Sequence, residues 1–215
     1  MGLGSNMYEL YDNSILWQMS AQERIAFFYV MESSRRELAL EVGSYKGGSL
    51  QHLNRYFKEV ISLDIDHAAL DPKVKTDNVT LIGGDSRKTL PELIKHMNEN
   101  REELNFVLID GNHEYEYVLS DLESVLDYVP VNETTILIHD SWYLPSRQAI
   151  CASKKLRECK YVHFVDTDFC SGTMMNKTTC IGGFCLIKMT SKQRTADLVI
   201  NQSHDLTFRT LYKLP

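Results

Sequence analysis

The feature that most constrains this chain is an alternation of short apolar runs with stretches of helical spacing. The runs are 37-ELALEVG-43, 59-EVISLDI-65, 78-NVTLIGG-84, 104-LNFVLID-110 and 134-TTILIHD-140. The last three are nearly continuous in Val, Ile, Leu and Phe, as in strands of a parallel sheet covered by helices on both faces. Between them, 86-SRKTLPELIKHMNEN-100 sets Leu90, Leu93, Ile94 and Met97 on one side. Thr89 and Glu92 have capping-box spacing there, with Pro91 in the first turn. The stretch 114-EYEYVLSDLESVLDYV-129 aligns Tyr115, Val118, Leu119, Leu122, Val125 and Leu126. Strand–helix–strand units of this kind make right-handed crossovers and a doubly wound α/β sheet.

Outside that core, residues 20–33 read as a leading helix in which Ser20 and Glu23 have capping-box spacing. The runs 160-KYVHFVD-166 and 182-GGFCLIK-188 read as two more strands. The polar loop 167–181 joins them without a crossover helix, which implies an antiparallel hairpin at the sheet edge. The expectation is a seven-stranded sheet of five parallel strands plus that hairpin. The tail from Thr190 carries no pattern that places it.

A chain of 215 residues suits one substantial α/β domain. The mean hydropathy of -0.27 fits a soluble protein. No apolar run approaches the roughly 20 residues of a membrane span, so no membrane partner is expected. The N-terminus lacks a basic region followed by an apolar core, so no secretory signal is read there. The net charge of -6 disfavours a nucleic-acid surface. Five cysteines, an odd number without a CxxC pair, point to a reduced, cytoplasmic setting. In such a setting the sequons at Asn78, Asn132, Asn176 and Asn201 are chance occurrences. Homo-oligomerisation is left open.

The first run leads into 41-EVGSYKGGSL-50. In a doubly wound sheet this turn lies beside the ligand crevice at the carboxyl ends of the strands, where glycine lets the backbone approach a ligand. The next run carries Asp64, 21 positions after Gly43, placed to accept hydrogen bonds from ribose hydroxyls. A nicotinamide dinucleotide site calls for G-x-G-x-x-G, whereas the glycines here are Gly43, Gly47 and Gly48. An NAD(P)-dependent oxidoreductase is therefore disfavoured.

Glu-x-Gly-x-x-x-Gly followed by Ser, with an acidic residue closing the second strand, resembles the class I S-adenosylmethionine-dependent methyltransferases, from about Glu37 to Lys188. The resemblance implies their Rossmann-like sheet and S-adenosylmethionine as cofactor. Glu41, Gly43 and Gly47 would then line the methionine side, with Ser49 opening the helix. Asp64 would take the ribose hydroxyls and Ile65 would pack on the adenine. Asp85 and Ser86 match the adenine-contacting position after the third strand. Residues 36–190 would form the methyltransferase domain, 1–35 a helical lid bearing Tyr8, Tyr11 and Trp17, and 191–215 an extension without an assigned role.

The fourth run ends in Asp110 and the fifth in Asp140, so both carboxylates emerge at the glycine-loop edge. Carboxylates that converge need a cation, a shared proton or a bound donor, and paired hard oxygens suit Mg²⁺. For each residue alone, a helix-capping role is the plain alternative. DGNHEYEYVLSDL further resembles a subgroup that includes macrocin and related macrolide-sugar O-methyltransferases. It implies Asp110 as a metal ligand and catalytic group, and His113 as general base toward a hydroxyl. The departure is 138-IHDSW-142, which offers His139 and Asp140 where that subgroup has Glu-Asp. His139 as a ligand would shift preference toward Mn²⁺, Fe²⁺ or Zn²⁺. It and Asp140 would also need a bend in the strand to converge. Trp142, Tyr143 and Arg147 are candidate walls of the acceptor site. The expected activity is O-methylation of a small hydroxylated molecule such as a sugar, phenol or natural product; a non-catalytic cofactor-binding protein is the other class considered.

Overall fold

The computed structural model describes residues 12, 14–176 and 179–214, with the side chain of residue 206 left aside. Helix α1 (Ala21–Ser33) opens the fold, and Ser20 with Glu23 forms the expected capping box. The parallel strands are β1 (Leu38–Val42), β2 (Glu59–Asp64), β3 (Val79–Gly83), β4 (Leu104–Ile109) and β5 (Glu133–His139). Helices α2 (Leu50–Tyr56), α3 (Ser86–Asn100) and α4 (Tyr115–Val125) lie between them; α5 (Leu144–Ala152) and α6 (Lys154–Glu158) lead to β6 (Val162–Cys170). A two-stranded ribbon, β7 (Thr173–Met174) with β8 (Cys180–Ile181), precedes β9 (Phe184–Thr190), and β10 (Ile200–Asn201) and α7 (Asp205–Leu211) follow.

Among the described residues the sheet has eight strands, not seven, in the order β10-β6-β9-β5-β4-β1-β2-β3. Strands β1 to β5 are mutually parallel, and β9 runs antiparallel between β5 and β6. The eighth strand, β10, comes from the tail that the sequence could not place and pairs parallel to β6. The hairpin also differs in detail, because β6 continues to Cys170 and its loop folds into the β7–β8 ribbon.

Strand β4 shows why the apolar runs are continuous. All six of its residues are buried; Val107 and Ile109 join one core layer, Phe106 and Leu108 the other. Leu90, Ile94 and Met97 of α3 and Val118, Leu122 and Val125 of α4 cover the first face. Phe27 and Met31 of α1 and Leu50 and Leu53 of α2 cover the second. Strand β3 departs from the expectation of double coverage, because it is the edge strand and is only half-buried. Tyr115 likewise lies exposed at the start of α4 rather than on its apolar face.

Helix α3 starts earlier than Thr89 and Glu92 suggested. Asp85 is its N-cap, accepting from the Arg87 N–H at 3.1 Å, and Pro91 sits inside the helix. Burial of Leu90, Ile94 and Met97 carries the helix through Pro91, whose missing N–H costs more than the cap alone returns. Among the described residues, no helix is long and apolar enough to cross a membrane.

Phe106 is fully buried between Phe27 and Phe57, at ring-centroid distances of 5.7 and 5.6 Å. Its replacement by alanine is expected to lower unfolding stability by about 3–5 kcal/mol. Urea denaturation of Phe106→Ala checks this, and a loss below about 1 kcal/mol would show that this layer is not close-packed.

Candidate active site

The sheet reverses direction of winding between β1 and β4, and their carboxyl ends frame the crevice. Gly43 leaves β1 with φ 88°, donating to the Leu63 carbonyl at 2.8 Å, while the Asp110 N–H donates to Val42 at 2.8 Å. A Cβ on residue 43 would overlap the Asp110 carbonyl. The glycine is needed here because two strand ends touch backbone to backbone.

A cavity of about 460 Å³ lies on one side of this junction, lined by Asp64, Ile65, Asp85, Ser86 and Tyr117. One of about 660 Å³ lies on the other, lined by Ser49, Asp110, His113, His139 and Asp140. Gly43, Tyr45, Asp110 and Gly111 border both. The Asp64 carboxylate accepts from the N–H groups of Ser44 at 2.8 Å and Tyr45 at 3.0 Å, which ties the glycine loop to β2. Ile65 is 72% exposed, an apolar side chain held open at the smaller cavity. Asp85 is engaged by the Arg87 guanidinium at 2.6 Å. Glu41 and Gly47 line neither cavity. Gly47 packs beneath the loop toward Val74 and Leu70. Glu41 is fully buried and accepts from the Ser49 hydroxyl, while its Oε2 has no partner among the described residues.

Asp110, His113, His139 and Asp140 converge, with ligand-capable atoms all within 4.8 Å of one another. His139 ends β5 and Asp140 follows in a left-handed conformation, φ 52°. That bend turns the side chains of successive residues into one cavity, as the sequence required. His139 Nδ1 lies 2.8 Å from Asp110 Oδ1 and 3.4 Å from Asp140 Oδ2. His113 Nε2 lies 3.4 Å from Asp110 Oδ1 and 3.1 Å from Asp140 Oδ2. Asp140 also accepts from the Gly182 N–H. Neighbouring donors around a first-row ion with bonds of about 2.0–2.2 Å stand roughly 3 Å apart. The Asp110 and Asp140 carboxylate oxygens and His139 Nδ1, with His113 Nε2 beside them, therefore stand at spacings that fit a divalent cation.

The charges explain the titration of the group. Burial alone would raise the Asp110 carboxyl, but the charge on His139 and hydrogen bonds with both histidines hold it below its usual range. Burial also opposes ionisation of Asp140, while His139, His113 and the Gly182 N–H hold it well below its usual range. Burial disfavours protonated histidine, yet Asp110 and Asp140 raise His113, and with Glu23 they raise His139 well above its usual value.

Glu23 was visible in the sequence only as a capping residue. Its Oε1 lies 2.9 Å from His139 Nε2 and accepts from the Gly183 N–H at 2.6 Å. No local signal could show this, because 116 positions separate Glu23 from His139. Trp17, Met19 and Ser20 before α1 form part of the larger cavity's wall. Tyr8 and Tyr11 lie outside the described residues. Trp142, Tyr143 and Arg147 do not line either cavity. Trp142 is buried under α7 against Phe208, and Arg147 is buried in an ion pair with Asp168 at 2.8 Å.

Residues 40–141 match the family model of a methyltransferase domain. No curated protein sequence matches the chain. Among solved structures, a candidate hemolysin from Streptococcus thermophilus aligns with a TM-score of 0.58 at 12% identity, over 89% of this chain and 71% of that one. An O-methyltransferase from Bacillus cereus, in complex with SAH, aligns with a TM-score of 0.52 at 16% identity, over 86% and 87%. A precorrin 8w decarboxylase from Methanobacterium thermoautotrophicum aligns with a TM-score of 0.51 at 16% identity, over 83% and 94%. At these identities the likeness shows a shared Rossmann-like fold. The domain match spans just under half of the chain, and the solved structures share its fold.

Burial pushes the Glu41 carboxyl from 4.5 up to about 8, against the opposing hydrogen bond from Ser49. The folded chain thus holds this proton more tightly than the unfolded chain, so its contribution to stability declines as pH rises between those values. Glu41→Gln removes the titration and is expected to gain thermal stability relative to the parent between pH 5 and pH 8. Melting curves that stay parallel across that range would refute the assignment.

Proposed function

We propose that this chain is an S-adenosylmethionine-dependent O-methyltransferase acting on a small hydroxylated molecule with the help of a divalent cation. The observation that carries the proposal is Asp110, whose carboxylate stands between the two cavities and beside His113. The O-methyltransferase neighbour that holds SAH supports the same direction. In this reading the smaller cavity takes the adenosine, with Ile65 and Tyr117 as apolar and aromatic walls and Asp64 at the ribose. The glycine loop and Ser49 face the methionine end. The acceptor enters the larger cavity under Trp17 and Met19, so the segment before α1 acts as its lid.

S-adenosylmethionine supplies a methyl group already activated on a sulfonium, so the protein has to orient an acceptor oxygen and remove its proton. Asp110, Asp140 and His139 are the groups that would hold the cation, whose charge would ease loss of the acceptor's hydroxyl proton. His113 is the most accessible of the four, 38% exposed against 6% for His139, 13% for Asp140 and 21% for Asp110. It is therefore the one able to reach the acceptor and take its proton as general base. Among the described residues lining the larger cavity there are three carboxylates and no Lys or Arg. Such a wall favours neutral hydroxylated acceptors and repels phosphorylated or carboxylated ones.

The test is methyl transfer from labelled S-adenosylmethionine to matched neutral and anionic sugars and phenols, with and without chelator. Turnover of neutral acceptors that is lost on chelation and restored by a divalent cation is expected. His113→Ala should lower kcat by about 10²–10⁴-fold. Asp110→Asn should lose turnover while calorimetry still detects cofactor binding. Chelator-resistant turnover would remove the cation from the mechanism, and binding of NAD without S-adenosylmethionine would overturn the whole reading.

A further inference from the structure

Helix α1 places Glu23 against the face of His139 that points away from Asp110 and Asp140. The Glu23 side chain is only 7% exposed. Its carboxylate is fixed from three directions, accepting from the N–H groups of Ser20 at 2.7 Å and Gly183 at 2.6 Å and meeting His139 Nε2 at 2.9 Å. Gly182, at φ 76°, leaves room for that carboxylate, because a Cβ there would overlap Glu23 Oε1. His139 is equally confined, 6% exposed with Phe184 packed at 5.2 Å between ring centroids.

An ionised carboxylate only accepts hydrogen bonds, so Glu23 fixes the proton of a neutral imidazole on Nε2 and leaves the lone pair on Nδ1. That lone pair then faces Asp110 Oδ1 at 2.8 Å and Asp140 Oδ2 at 3.4 Å. Three acceptor atoms facing one another at these distances repel unless a proton on Nδ1 or a cation lies among them, and a bound cation takes the place of that proton. A carboxylate behind a metal-bound histidine also fixes the ring and raises its basicity. Imidazole nitrogen, unlike an all-oxygen set, favours first-row transition ions over Mg²⁺.

We infer that Glu23 is the positioning residue of the cation site, orienting His139 so that Nδ1 becomes a ligand and biasing the site toward a first-row transition ion over Mg²⁺. This rests on the cation-assisted reading above. It makes the N-terminal helix a working part of the site, since the group that sets the histidine's orientation enters from residue 23 while the ligands come from the ends of β4 and β5.

The test titrates the metal-stripped full-length chain with Co²⁺, Mn²⁺ or Mg²⁺ alone, reading calorimetric affinity and the Co²⁺ visible spectrum. S-adenosylmethionine binding by each variant, measured in parallel, reports whether the crevice is intact. The wild type should bind Co²⁺ and Mn²⁺ more tightly than Mg²⁺. Glu23→Ala should weaken Co²⁺ binding by about 10–100-fold and alter its spectrum, with Glu23→Gln, which keeps an acceptor oxygen, in between. Co²⁺ affinity unchanged in a Glu23→Ala variant that still binds S-adenosylmethionine overturns the inference and leaves the cation reading standing. If Glu23→Ala loses S-adenosylmethionine binding as well, Glu23→Gln decides: weakened Co²⁺ binding supports the role and wild-type affinity overturns it. A wild type that prefers Mg²⁺ overturns the selectivity, and one that binds none of the three ions overturns both the inference and the cation reading.

Discussion

The close approach of Gly43 to the Asp110 carbonyl is the constraint on which the site depends. Strands β1 and β4 are neighbours at the point where the winding of the sheet reverses, and no side chain fits between their exits. One backbone contact therefore does two things: it lets the glycine loop turn away toward α2 and places the Asp110 side chain between two cavities. The cavities are where helices on opposite faces diverge, so the crevice is a consequence of double winding rather than an addition to it.

Concentrating acidic groups at that edge creates an electrostatic problem. Asp110, Asp140 and Glu23 meet in a space where solvent is scarce, and carboxylates there are tolerated only beside positive charge. Within the described protein, the two histidines and the N–H groups of Gly182 and Gly183 provide the compensation. The same arrangement that stabilises the carboxylates gathers four ligand-capable side chains within 4.8 Å of one another. Stability and chemistry are thus two results of one charge distribution, with α1 and the β8–β9 turn both recruited to it.

Most of the fold was legible in the sequence. The apolar runs fall on β1 to β5 with boundaries close to those observed, and for β1, β4 and β5 the reason is that strands covered on both faces are continuously apolar. The leading helix was legible from Ser20 and Glu23, whose capping box is purely local. What escaped were features decided by neighbours. Ile200 and Asn201 are too few to announce a strand, and they become β10 by pairing with the open edge of β6. The half-exposure of β3 likewise reflects its place at the end of the sheet, which its own residues do not specify.

For the site, the sequence determined which side chains stand at the ends of the strands: Gly43, Asp64, Asp110, His113, His139 and Asp140. A strand's length and period fix where it stops, and a doubly wound sheet fixes which edge that is. The tertiary structure decided how those groups meet. The left-handed turn at Asp140 brings His139 and Asp140 to one side, and Trp142 and Arg147 are drawn away into contacts with Phe208 and Asp168. It also decided that Glu23, read from the sequence as a helix cap, sets the orientation of a histidine 116 positions away. Contacts across such separations depend on packing of distant elements, and no local pattern of residues encodes them.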